Sequence, residues 1–240
     1  MVSDLKVREF PLVCTGASVR ALLAGEKTQH REPVGDHNTI GNFKASMLDL
    51  AKAFVDPGPS PMGNPGPYLK ASPLPRGPEY FDDIVDRLYP SVQVGDRLWV
   101  RERMCLSADG VWRYECDLRP VRIAADHARE AYPWCARAAA RHYARCAANK
   151  LPRWASRLTL EVTEVRVQRV QEITDDDVKA EGVKALEGQF AGVYVSPAAV
   201  SARSARECFQ NGWDEQHYQR GAGWETNPWV IAITFRRVES

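Results

Sequence analysis

Apolar residues recur every second position in several stretches of the chain. In Val94-Gly-Asp-Arg-Leu-Trp-Val-Arg-Glu102 a Gly-Asp turn pair precedes alternating Leu98 and Val100, which predicts a strand. Residues 158–170 place Leu158, Leu160 and Val162, then Val165 and Val167, on a long predicted strand, and residues 229–238 predict a last one. Residues 103–123 predict a hairpin turning at Ala108-Asp-Gly110, with Trp112, Tyr114 and Cys116 on one face. Helical spacing appears at Val19, Leu22 and Leu23, closed by Gly25 as a C-cap, and at Met47, Leu48, Leu50, Ala51 and Phe54 within 44–55. Residues 80–88 predict one or two helical turns, 126–148 an Ala- and Arg-rich helix, and 201–213 another helix. Thr174 followed by three aspartates predicts a capped helix start, and 185–200 reads as irregular. Strands with short helices between them predict an α+β fold whose strands curl into a small β-barrel.

Proline changes this picture by its position. Eight of the 16 prolines fall within 57–78 together with four glycines, so residues 56–79 form a Pro/Gly-rich connection that is ordered only where it packs on something. One domain of 240 residues carrying insertions is the expected organisation. No apolar run is long enough for a membrane span and the first ten residues lack the apolar core of a signal peptide, so no membrane partner and a cytoplasmic location are expected. The six cysteines form no C-x-x-C pair and are expected to be free thiols.

The net charge of +1 excludes a protein that is basic all over. It conceals six cations, Arg137, Arg141, Arg145, Lys150, Arg153 and Arg157, with no acid between Glu130 and Glu161. Arg137, Arg141 and Arg145 recur every fourth residue on one face of the expected helix. With Tyr143 and Trp154 among the charges, the stretch suits a groove for single-stranded nucleic acid. Its alternative is a solvated face paired with acids elsewhere, such as Asp175, Asp176 and Asp177. Cys135, His142 and Cys146 share one side of the same expected helix, but zinc needs a fourth ligand from Cys105 or Cys116, and small core thiols are the simpler account. No metal and no cofactor is expected. Phosphate-loop, dinucleotide, G-x-S-x-G and H-E-x-x-H motifs are absent from the sequence.

Gly25-Glu-Lys-Thr-Gln-His-Arg31 gathers a cation, a hydroxyl, an imidazole and a guanidinium in the turn after the first helix. Such a set binds an anion or positions a carbonyl, and an exposed charged turn is the plainer alternative.

Taken with Val94–Glu102, Leu151-Pro-Arg-Trp-Ala-Ser-Arg157, residues 173–183 and Trp224-Glu-Thr-Asn-Pro-Trp229, this turn resembles the ASCH-domain family, in particular its bacteriophage and prophage branch. The resemblance covers 10–35, 92–104 and 150–238, with 103–149 as a hairpin and helical insertion. It implies a PUA-like barrel around a cleft and a partner that is a modified nucleoside or single-stranded nucleic acid, RNA before DNA. One small enzyme of the family deacylates N4-acetylcytidine with a Lys, a Thr three residues later and a Glu from a following helix. By resemblance the Lys is Lys27, the Glu is Glu181 and the Thr position holds His30. Glu32 stands where the family has Arg, and Arg31 takes over the cationic role. The departure leaves His30 as a general base, Thr28 as a nucleophile, or binding without hydrolysis. Contacts to phosphate or base are expected from Arg31, Arg101, Arg153, Arg157 and Asn227, with Trp154 or Trp229 stacking. Three activities stay open: metal-independent hydrolysis of an N4-acylcytidine-like nucleoside, non-catalytic single-strand binding through Arg137, Arg141 and Arg145, and single-strand ribonuclease action.

Overall fold

Leu160 and Val162 occupy even positions and Val165 and Val167 odd ones, so one residue must be skipped if all four are to stay on a regular apolar face. Strand β11 (Thr159–Arg169) does this with a bulge between Val162 and Glu164 in its pairing with β15 (Trp229–Val238). The structure, a computed structural model, describes residues 7–35, 37–40, 44–56, 67–71, 86–122 and 145–238. Strands are numbered along the chain. The two long strands form the centre of a five-stranded sheet, completed by β1 (Glu9–Val13), β2 (Gln29–Pro33) and β7 (Arg97–Arg101) in the order β1-β7-β11-β15-β2. All its pairs are antiparallel except β1 with β7.

The expected barrel is not closed. Among the described residues β1 and β2 are the two edges of this sheet, and no pairing joins them. The fold is mixed α+β, mostly strands in several small sheets. One is β10-β8-β9, from β8 (Met104–Leu106), β9 (Trp112–Tyr114) and β10 (Arg145–Cys146). Another is β12-β13-β14, from β12 (Lys184–Ala185), β13 (Tyr194–Val195) and β14 (Ser201–Ala202). The third is β3-β6-β5-β4, from β3 (Thr39–Ile40), β4 (Phe54–Asp56), β5 (Tyr68–Ala71) and β6 (Asp86–Pro90).

Period two along β15 sends its residues to two cores. Ile231, Ile233 and Phe235 pack with Val19 and Leu22 of α1 (Gly16–Leu23) and with Leu98, Val100, Leu160 and Val162. Val230 faces the other way, onto Val178 of α2 (Asp175–Ala180) and Cys208, Phe209 and Trp213 of α3 (Ala205–His217). Thr174 caps α2 as its sequence predicts, in a reciprocal capping box with Asp177. Ser204 caps α3, which therefore begins one turn later than the 201–213 pattern suggests; Ser201 and Ala202 belong to β14.

The helix expected over 44–55 does not form: residues 45–47 are a single 3-10 turn, and Phe54–Asp56 is β4. Of the turns expected over 80–88, residues 80–85 lie outside the described residues and 86–88 belong to β6, which joins β4 in the third small sheet. That sheet closes over Trp229, whose indole N–H donates to the Leu50 carbonyl (3.0 Å). Part of the Pro/Gly-rich connection, Tyr68–Ala71, is β5. Arg145 lies on β10 rather than on a helix, and Arg137, Arg141, Cys135 and His142 fall outside the described residues. No helix is long and apolar enough to cross a membrane among the described residues.

Candidate functional site

Strand β2 is an outer strand, and its free edge borders a cavity of about 90 Å³. The walls come from the β1–α1 junction (Val13, Cys14, Thr15), Lys27, His30, Arg31, Glu181 and Val183 behind α2, and one face of α3 with Gly212, Trp213 and His217. Ser196, Pro197 and Ala198, in the turn between β13 and β14, close the remaining side.

Lys27, Gln29 and Arg31 are buried and point toward α2. The Lys27 ammonium donates to Glu181 Oε2 at 2.5 Å and to the Glu181 carbonyl at 3.2 Å. Arg31 Nη1 donates to Glu181 Oε1 at 3.0 Å and to Gln29. Arg31 Nη2 sits 2.8 Å from Asp177 Oδ2 without hydrogen-bond alignment, and its Nε has no partner. Asp177 also takes Arg166 at 2.6 Å and Gln29 at 3.1 Å. Two carboxylates thus face three cations in a volume from which water is nearly excluded; Lys27, Arg31 and Glu181 are 6%, 3% and 7% exposed. Burial works to raise the Glu181 pKa, but the charges of Lys27 and Arg31 outweigh it and hold the carboxyl below its ordinary value. The same contest at Asp177 is won by the Arg166 hydrogen bond and the Arg31 charge, again downward.

Gly182 explains why Glu181 precedes a glycine. Its φ is +93°, and a Cβ there would lie 2.8 Å from Pro197 Cγ and 3.4 Å from Lys27 Cβ. The chain turns tightly against Lys27 after presenting Glu181 at the C-cap of α2.

His30 occupies the opposite face of β2 and pairs with Glu32, Nε2 to Oε1 at 3.3 Å. The hydrogen bond with His30 leads the causes that hold the Glu32 carboxyl down to about 2. His217 packs against Trp213 with ring centres 4.2 Å apart and ring planes tilted by 39°. Burial, then the charges of Arg220 and His30, push its pKa down to about 4, so the ring is neutral at pH 7. His30, Gln216 and His217 also border a groove of about 1000 Å³ that runs past Arg20, Arg103 and Arg220.

The other expected contact residues have partners of their own. Thr28 is exposed, borders neither cavity nor groove, and only its backbone is engaged, with Ala180 and Phe235. Arg153 forms a forked pair with Glu9 (2.8 and 3.0 Å). Arg157 grips Glu102 (2.8 and 2.9 Å) and Asp117 (2.7 Å) over the Tyr114 ring. Arg145 is 3.6 Å from Glu115. Three of the six cations, Arg145, Arg153 and Arg157, are therefore paired with acids far away in sequence and not with Asp175–Asp177, while Arg137 and Arg141 lie outside the described residues. Arg101 lies over Trp99 and is not among the residues bordering the cavity or the groove. Trp154 packs against the core of the β8–β9 hairpin, and Trp229 is buried under the Arg169 guanidinium. Asn227 takes a left-handed conformation, and its side-chain oxygen accepts from the Gln171 N–H. Among the described residues no group of three or more His, Cys, Asp or Glu is placed to hold a metal ion.

Sequence reasoning missed Cys14, Ser196, Gly212, Trp213 and His217 as cavity residues. Two signals were readable: Ser-Pro at 196–197 is a turn signature, and Gly212 interrupts an otherwise good helix pattern. Comparison with family models, with curated proteins and with solved structures found no match.

Proposed function

We propose that this chain is an ASCH-type protein of PUA-like ancestry whose cavity takes one nucleobase, and that it hydrolyses an N4-acyl-type amide of a modified nucleoside without a metal. The observation that carries this reading is the buried Lys27–Glu181–Arg31 network forming one wall of a cavity whose mouth holds two imidazoles, His30 and His217.

In this reading the groups take different parts. Lys27 already donates to the Glu181 carboxylate and carbonyl, so in this reading it acts as a hydrogen-bond donor rather than as a base. Its remaining N–H and the free Arg31 Nε polarise the amide carbonyl and stabilise the oxyanion. His30, oriented by Glu32, takes a proton from water as the water oxygen bonds to the carbonyl carbon. The carbon–nitrogen bond then breaks, and the ring amine leaves with the proton returned by His30. Trp213 and His217 offer an aromatic platform for the ring. Thr28 has no part, because its side chain is exposed outside the cavity.

The test is incubation with a panel of acylated nucleosides followed by mass spectrometry, in a chelator. Loss of the acyl mass by the wild type and not by His30→Ala or Lys27→Ala is expected. Equal turnover by Lys27→Ala removes the network from the mechanism.

The groove that continues from the cavity favours a second reading, in which the base belongs to a single strand that is bound or cleaved. Cleavage of a labelled single strand that persists in chelator and disappears in His30→Ala would select it.

A further inference from the structure

Lys27 and Arg31 bring two positive charges to the wall of the cavity, and Glu181 brings one negative charge. Both carboxylate oxygens of Glu181 are taken, Oε2 by Lys27 and Oε1 by Arg31. Lys27 gives a second N–H to the Glu181 carbonyl and keeps a third with no acceptor among the described residues. Arg31, 3% exposed, turns Nη1 to Gln29 and Glu181 and Nη2 to Asp177, while its Nε–H meets no acceptor. Asp177 does not line the cavity and is engaged by Arg166 and Gln29. The surplus on this wall is therefore two donors and one positive charge. A buried donor without a partner is costly, and a buried charge without one more so.

Helix α1 contributes from another wall. Thr15, its cap, and Ser18, in its first turn, line the same cavity. The Thr15 carbonyl accepts from the Val19 N–H (2.9 Å) and the Thr15 hydroxyl oxygen from the Ser18 N–H (3.2 Å). The Thr15 hydroxyl in turn donates to Ser18 Oγ (3.0 Å), so the Ser18 hydroxyl keeps its own proton for a further acceptor. No acidic residue stands in the first turn of this eight-residue helix, so its positive end borders the cavity without a carboxylate of its own.

We infer that the cavity is a site for a small oxyanion: a carboxylate or phosphate oxygen accepts from the Lys27 ammonium, the Arg31 Nε–H and the Ser18 hydroxyl. The volume of about 90 Å³ admits a group larger than one water. Hydrogen bonds to an ionised acceptor are about twice as strong as neutral ones, which suits a site whose free groups are all donors. The inference goes beyond the nucleobase reading and needs no nucleoside, because the ligand is negatively charged before any reaction.

Sodium phosphate and sodium formate, each titrated into the full chain at constant ionic strength against sodium chloride, test it. The readouts are the melting temperature and the imidazole resonances of His30 and His217, both on the cavity wall. At least one oxyanion should raise the melting temperature saturably and shift both imidazoles at concentrations where chloride does neither. A response to phosphate alone points to a phosphoryl group, to formate alone a carboxylate, and to both the charged oxygen itself as the recognised feature. Ser18→Ala removes one hydrogen bond to a charged acceptor and should weaken the responding anion by roughly 10-fold or more. Arg31→Lys keeps a cation, loses the Nε–H and should also weaken it; where that variant does not fold, Ser18→Ala decides alone. Wild-type affinity in Ser18→Ala, or no saturable response to either anion, overturns the site. Neither result bears on nucleoside turnover, which the acylated panel tests separately.

Discussion

Replacing Glu181 by Gln keeps the shape of the side chain and removes one of the two carboxylates that face Lys27, Arg31 and Arg166. Asp177, 2.8 Å from Arg31 and 2.6 Å from Arg166, is then left alone against three cations, and Lys27 loses its 2.5 Å partner. Breaking a buried ion pair from one side costs about 3–5 kcal/mol. In a chain of this size about 1 kcal/mol moves the melting temperature by roughly 2–4 °C, so Glu181→Gln should melt about 6–20 °C lower. The pair Lys27→Met with Glu181→Gln removes both charges and should recover more than half of that loss, since a buried pair replaced by uncharged groups is often neutral. The pH dependence has a definite sign. The folded Glu181 carboxyl titrates below its ordinary value, so its stabilisation is complete above the unfolded value of about 4.3 and fades as pH falls through the lower folded value. Wild-type stability should fall on acidification more steeply than that of Glu181→Gln. Thermal and urea denaturation of the three proteins at pH 7 and below pH 4 measure all of this. A single variant melting within about 2 °C of the wild type, under about 1 kcal/mol, refutes the claim that the network is a buried ion cluster.

Gly182→Ala forces a side chain into φ +93° and onto Pro197 Cγ; the left-handed backbone alone costs about 1–2 kcal/mol, read as a lower urea midpoint with an unchanged slope. Arg157→Ala strands Glu102, which is 1% exposed, and should cost about 3–5 kcal/mol while leaving the salt dependence of any single-strand binding unchanged. A flattened salt slope would restore Arg157 as a phosphate contact. Burial pushes the Cys14 thiol up to about 12, and burial with the Glu102 hydrogen bond does the same for Cys116. Iodoacetamide at pH 8 should therefore leave both unmodified in the native protein, as peptide mass mapping reports; labelling of Cys116 at the rate of a free thiol contradicts its pairing with Glu102.

Local periodicity carried the central elements into view. The helix ending at Gly25, the change of parity along β11, the Thr174 cap and the whole of β15 follow from spacing that needs no distant partner. Residues 44–55 have a helical spacing too, yet β4 forms there because β5 supplies an edge to pair with, information that lies outside the segment. Charge misled for the same reason. Arg153 finds Glu9 at a separation of 144 residues and Arg157 finds Glu102 at 55, so cations that look uncompensated in sequence are paired in space. Lys27 and Glu181 are 154 residues apart, and only the family resemblance suggested that they meet. Ser196 and Gly212 read in sequence only as a turn and as a break in a helix pattern; that the two face each other appears only in the fold.

Three of the five histidines lie among the described residues: His30 and His217 border the cavity, while His37 is exposed on the far side of Glu32 and does not line it. Titration of the protein with N4-acetylcytidine should shift the imidazole carbon-bound proton resonances of His30 and His217 together, saturably, and leave those of His37 in place. Saturating nucleoside that moves neither His30 nor His217, or that moves His37 instead, contradicts the placement of a nucleobase against the Lys27–Glu181–Arg31 wall.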